Sequence, residues 1–329
     1  MTTEPMKVSD TAGLLATVPM LMGFQPEMSV VAVCLERGRV VLSMRVDLGL
    51  SAGDIAEAAV MAARRTIVDE LVLIGYVPTL DSRVVGHLRD IALAVETRTL
   101  SSSFHVSVRH MLAVSKAGWV EVPDWGEDAL EIRELSEIDE HPIVAERVLR
   151  GFKVEGSRDD VRRRVQPNSE EPSVTFEVSL EAMTLRLSEL SEDEAKRFMH
   201  KQLDAVEDCE LDTDVVDDVV LARMTGLLAH PDARDAAMLR IDVTNAKRYV
   251  EVWSRVVRLT TGRPALQALW LTGTAAWLSG DGALMNLCSE EGHKIDPEHI
   301  GVKVLSLVTA QALPPSLFDT LKSEMKEAP

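Results

Sequence analysis

Aromatic residues are scarce in this chain, making up 4% of its 329 positions. A core with so few rings must be built from Leu, Val, Ala and Met, and the fourteen methionines suit irregular gaps between helices. Cysteine is nearly missing as well. Cys34, Cys209 and Cys288 stand far apart with no Cys-x-x-Cys pair. That excludes a disulfide framework and a zinc knuckle, and it fits a reducing cytoplasm. No stretch reaches the ~18 consecutive apolar residues of a membrane span. The apolar run from Leu14 to Phe24 is interrupted by Pro19 and lacks a basic leader, so it does not read as a signal peptide. The expectation is a soluble cytoplasmic protein without a membrane partner.

Catalytic fingerprints are missing too. There is no Gly-x-Ser-x-Gly elbow, P-loop or dinucleotide motif. On "FHVSVRHMLAV", His105 and Arg109 fall on one strand face and His110 on the other, so no two-His metal pair forms there. His141 and His230 each precede a proline at a helix boundary, where capping accounts for them. No metal and no cofactor is expected.

Positive charge is also short. The formal net charge is −18, and it is focused. Glu121 to Glu140 holds nine acids and one base, and Glu189 to Asp218 holds twelve acids and three bases. Between them Ala145 to Val165 is locally basic, with Arg147, Arg150, Lys153, Arg158 and Arg162 to Arg164. Three readings stay open: solvated helix faces, pairing of basic with acidic segments within or between chains, and a docking surface or DNA mimic for a basic partner. Direct nucleic-acid binding is not expected, since phosphate affinity needs a dominating basic field. The acids chosen as a partner-binding set are Glu207, Asp208, Glu210, Asp212 and Asp214.

What is present reads first as strands and helices in alternation. "MSVVAVCL" and "RVVLSMRVDL" are β-branched runs across the short turn at Glu36 to Gly38, a hairpin signal. Ser51 with Asp54 opens a helix, "LVLIGYV" is a covered central strand, and Asp81 or Ser82 opens another helix. "FHVSVRHMLAV" and "WVEV" follow as two strands. The order β-β-α-β-α-β-β gives a mixed-sheet α/β layer domain over residues 1–125, with antiparallel hairpins and parallel crossovers. In such a sheet a ligand sits beyond the strand C-termini. Arg45, Asp47, Gly75 and Tyr76 approach that edge, with Pro78 beside them, and form the candidate ligand site.

Residues 126–172 read as an acidic and basic helical linker, and 173–329 as a mainly helical domain. "PSVTFEVSLEAM" is ambiguous, because Val174, Phe176 and Val178 alternate before helical spacing takes over. Ser157 with Asp160, and Ser191 with Glu194, read as capping boxes. Leu266, Leu269, Trp270, Gly273, Ala276 and Trp277 form one helical stripe, and Leu284, Leu287 and Cys288 face it. Gly280-Asp281-Gly282 between them reads as a bend: Gly280 ends one helix and Asp281 caps the next. Asp296 and Pro297 then open a third helix. The unit loosely resembles a tetratricopeptide helix pair, although a solenoid needs at least ~3 repeats.

Two blocks, "LLATVPMLMGFQPEMSVVAVCLERGRVVLSMRVDL" and "GRPALQALWLTGTAAWLSGDGALMNLCSEEGHKIDP" with "ALPPSLFD", resemble the domain of unknown function 4192 family. The Trp277 to Ala283 core, Trp-x-x-Gly-Asp-Gly-Ala, is part of that likeness. Met285 stands where the family often carries a small residue, which implies somewhat different helix packing. The resemblance implies a bacterial or phage cytoplasmic protein and transfers no catalytic residue. The functional expectation is a non-enzymatic interaction or regulatory protein acting through its helical domain and acidic surface. The alternative is an enzyme or small-ligand sensor at the strand-end crevice.

Overall fold

The computed structural model describes residues 10–66, 68–100, 106–123, 130–149, 154–209, 216–311 and 313–318, with 320 and 322. The chain is a mixed α/β protein that divides into two compact units, Met1–Arg158 and Asp159–Pro329.

In the first unit a helix α1 (Thr11–Met22) precedes β1 (Ser29–Glu36), β2 (Arg39–Asp47), α2 (Ala52–Thr66), β3 (Glu70–Tyr76), α3 (Ser82–Leu100), β4 (Ser107–Ser115) and β5 (Gly118–Glu121). Short helices α4 (Ser136–Asp139) and α5 (Pro142–Leu149) follow. The strands make one five-stranded mixed sheet in the order β2-β1-β3-β4-β5. β1 is antiparallel to both β2 and β3, β3 and β4 run parallel, and β5 returns antiparallel on β4. The β1–β2 turn works because Arg37 and Gly38 both take positive φ, 49° and 74°, the twist-matched geometry of a two-residue hairpin.

One sheet face carries Val30, Ala32, Cys34, Leu71, Leu73, Met111, Ala113 and Val120 into a core with Ile55, Ala59 and Ala63 of α2 and Leu88, Ile91 and Val95 of α3. Small residues on α2 let its backbone lie close to the strands. Ser51 and Asp81 cap these two helices: Ser51 Oγ accepts from Asp54 N at 3.1 Å and Asp81 Oδ1 from Val84 N at 2.9 Å. The Leu14–Phe24 run, unread as an element in the sequence, forms most of α1 as far as Met22. Asp10 accepts the Gly13 N–H at 2.7 Å, and Gly23 in the left-handed region ends the helix.

The second unit is helical: α6 (Arg158–Arg163, beginning at the division), α7 (Val174–Leu187), α8 (Glu192–Asp208), α9 (Asp218–Leu227), α10 (Pro231–Arg240), α11 (Ala246–Leu259), α12 (Gly262–Ser279), α13 (Gly282–Ile295) and α14 (Ile300–Gln311). The stretch that alternated in the sequence is all helix. Ser173 caps α7 by accepting from Phe176 N at 3.1 Å, and Phe176 and Met183 face inward. α7 packs on α9, α8 on α9 and α10, and α11 on α12, and the series closes with α13 and α14. Gly273 admits the neighbouring helices: a Cβ there meets the Leu305 side chain and stands 3.1 Å from Cys288 Cβ.

Two boundary residues differ from their sequence reading. His230 heads α10 but makes no capping bond, and its Nδ1 is buried without a hydrogen-bond partner among the described residues. Pro231 takes the first helical position, where its missing N–H leaves no donor unmet. Asp296 closes α13, and its carboxylate accepts from Glu298 N at 2.9 Å in a turn, while α14 begins only at Ile300.

Candidate functional site

The strand-end residues fall on two faces of the sheet. Asp47 stands opposite Ser29, and Ser29 opposite Tyr76, so these three form one row across β2, β1 and β3. Arg45 is two residues back on the same face as Asp47. Its Nη1 lies 2.6 Å from Asp47 Oδ1 and its Nη2 donates to the Glu27 carbonyl at 3.2 Å. Gly75 belongs to the opposite face, where a Cβ stands only 2.6 Å from Leu88 Cδ2. It is a packing glycine beneath α3 and is not brought together with Tyr76.

Burial shapes the chemistry of this edge. The Tyr76 hydroxyl is pushed far above its usual range by desolvation and remains a neutral phenol. Ser29 Oγ and Arg45 Nε are buried without hydrogen-bond partners among the described residues. Met28, just before Ser29, holds φ at 44°, an uncommon conformation for a residue with a side chain. Ser29 was missed in the sequence because it reads as the unremarkable first residue of a strand. On β4, Arg109 pairs with Glu70 at 2.9 Å, and His110 Nδ1 lies 2.6 Å from Glu121. His105 lies outside the described residues.

The acidic set separates differently. Glu207 at the end of α8 faces inward: Arg240 donates to both its oxygens, at 2.9 and 2.5 Å, and Tyr249 donates to Oε1 at 2.8 Å. The Arg240 hydrogen bonds hold the Glu207 carboxyl below the usual carboxylate range. Asp208 is exposed, and Glu210, Asp212 and Asp214 lie outside the described residues. Other acids of the run are also engaged: Glu194 completes the Ser191 capping box, Asp204 pairs with Arg240 at 2.7 Å, and Asp218 with Arg255 at 2.7 Å. The basic stretch pairs elsewhere. Arg162 holds Glu290 and Glu291 at 3.0 and 2.5 Å, and Arg164 holds Glu251 at 2.9 Å.

Two open clefts carry polar linings. One, of about 550 Å³, opens at the N-termini of α1 and α5. There His141 accepts the Ile143 N–H through Nδ1 and sets Nε2 3.5 Å from Asp10. The other, of about 780 Å³, runs along α13 and α14. On it Ser289 and Ser306 hydroxyls meet at 2.8 Å and His293 Nδ1 bonds the Ser289 carbonyl at 2.8 Å. Neither cleft includes the strand-end residues. Among the described residues no group of His, Cys, Asp or Glu has a metal-binding arrangement, and no helix is long and apolar enough to cross a membrane.

Exposed apolar residues occur in both units, as at Leu100 of α3 and Leu149 of α5, and on two helices of the second unit they fall in line. On α7, Val174, Val178 and Leu185 are 61% to 75% exposed, and on α14, Ile300, Val304 and Leu307 are 44% to 74% exposed. Spacings of four and seven residues align each set as one outward stripe. The sequence signal was there in both cases, but apolar residues at helical spacing read as core until the inward faces are known.

A family model described as Domain of unknown function (DUF4192) matches residues 12–316, and the chain belongs to that family. No curated protein and no solved structure matches the chain.

Proposed function

We propose that this member of the DUF4192 family is a non-enzymatic interaction protein, with a regulatory role in a bacterial or phage setting, whose helical unit docks a protein partner. One observation carries this reading: the outward apolar stripes of α7 and α14, which burial against a protein stabilises and exposure to water does not. The α12–α13 pair, with Gly273 mid-helix and Gly280 at its turn, supports it as a tetratricopeptide-like arrangement. The focused acidity contributes less than the composition suggests, because Glu207, Asp204 and Asp218 are held by arginines of the same unit.

The test is affinity capture from the source organism with the wild-type chain and with a Val178→Glu, Val304→Glu variant. Specific proteins lost with the variant, in low and high salt alike, support docking through the stripes. An unchanged capture profile overturns it. A second reading, a polar small-molecule site at the strand ends, is favoured by the buried, unpartnered Ser29 Oγ and Arg45 Nε. A thermal-shift panel of nucleotides, sugars and carboxylates decides that one: a large stabilisation by one compound, abolished by Arg45→Met, supports the site.

A further inference from the structure

The two exposed stripes share a frame. Counted from Val174 in α7 and from Ile300 in α14, the apolar residues Val178 and Val304 stand four positions on. Three positions on, at the flank of each stripe, α7 carries Glu177 and α14 carries Lys303. Seven positions on stand Glu181 and Leu307, and eleven on stand Leu185 and Gln311. The inward faces are satisfied, with Phe176 and Met183 in α7 and Val302, Leu305 and Val308 in α14 buried. Within its bounds α14 has one base and no acid, whereas α7 has two acids and one base.

We infer that the α7 stripe of one copy pairs with the α14 stripe of a second copy, antiparallel and head to tail. This rests on reading the helical unit as a docking module and names its partner as the chain itself. Residues three and seven positions on lie to the same side of each stripe, at 3.6 residues per turn. An antiparallel pairing therefore seats Leu185 against Ile300 and Val178 against Val304 and Leu307, and it sets Glu181 beside Lys303. A parallel pairing puts those charges on opposite sides. Lys303 is free to make the exchange, since its own partner Glu298 is an exposed one with a side chain 82% accessible. For a chain of net charge −18, self-association is opposed by general repulsion, so the local Glu–Lys match sets which faces meet.

Because the two faces differ, the contact is heterologous: after one pairing the first copy keeps its α14 free and the second its α7, and growth continues to a ring or an open chain. Sedimentation velocity of the full chain over a wide concentration range reads this directly. Wild type is expected to pass beyond dimer as concentration rises, while Val178→Glu alone and Val304→Glu alone stay monomeric. Mixed in equal amounts, the two variants are expected to form a dimer and stop, because one usable face of each kind remains. A monomeric wild type, variants that assemble like wild type, or a mixture that stays monomeric overturns the inference. Circular dichroism and melting check each variant's fold, with Leu185→Lys and Leu307→Glu as a second pair. A monomeric wild type whose stripe variants still lose a captured protein overturns self-pairing alone; no assembly and no altered capture overturns the docking reading too.

Discussion

Asp281 serves two helices with one residue. Its N–H reaches the Ala276 carbonyl at 2.8 Å, closing the end of α12 behind Gly280 at φ 82°, and its carboxylate accepts from Leu284 N at 3.0 Å, opening α13. The Gly-Asp-Gly turn is thus a helix junction. Replacing Asp281 with Ala removes the cap and leaves the backbone bonds, so stability is expected to fall by about 0.5–2 kcal/mol, with Asn retaining most of it. Thermal or urea unfolding of both variants measures this; an unchanged midpoint for Ala refutes the capping role. Caps of this kind were legible in the sequence at Ser51, Asp81, Ser191 and Asp281, whereas Asp10 and Ser173 accept an N–H at the same spacing and went unread with the helices they open. His230 and Asp296 were read as caps and are not: His230 makes no side-chain capping bond, and the Asp296 carboxylate closes a turn onto Glu298 N ahead of α14.

At the scale of elements, helix spacing near the C-terminus depends on where a side chain is missing. Gly273 leaves room that the Leu305 side chain fills, and Gly292 brings Val302 to 2.5 Å of an added Cβ. Gly282, at the start of α13, has nothing within 4 Å of an added Cβ. Gly273→Ala is therefore expected to cost about 1–3 kcal/mol through overpacking. Gly282→Ala should be neutral or stabilising by up to about 1 kcal/mol. Equal effects in denaturant unfolding contradict this account of the packing. The strands and the α12–α13 stripes were readable because period and burial agree there. α7 misled because its exposed Val174 and Val178 are as apolar as its buried Phe176, so the alternation came from residues on opposite faces. α1 went unread because Pro19 interrupts it.

For the whole molecule, charge totals described composition and missed pairing. The acids of α8 and α9 meet Arg240 and Arg255, residues about thirty-three to thirty-seven positions away in sequence, and no local pattern announces such partners. Glu207 tests the point. Its folded-state carboxyl titrates below the usual range, so its stabilisation is present at neutral pH and is lost as pH falls through and below the ordinary carboxylate range. Glu207→Gln is expected to lower stability by about 1–3 kcal/mol at neutral pH, discounted from fully buried pairs because the side chain is 29% exposed. That deficit should shrink in acid. Urea unfolding at both pH values measures it, and a deficit independent of pH counts against the Arg240 pairing as its source.

The start of α14 carries a consequence of another kind. Trp270 meets the His299 ring edge-on at 5.9 Å, with the Arg234 guanidinium over the indole at 5.7 Å. Desolvation keeps His299 neutral to lower pH than a free imidazole. When it does take a proton, an imidazolium stands beside an indole, and a protonated imidazole quenches indole emission. The Trp270 share of the emission from five tryptophans is therefore expected to report that protonation, a label-free optical signal from the residue just before α14, the helix whose outer stripe is proposed to pair.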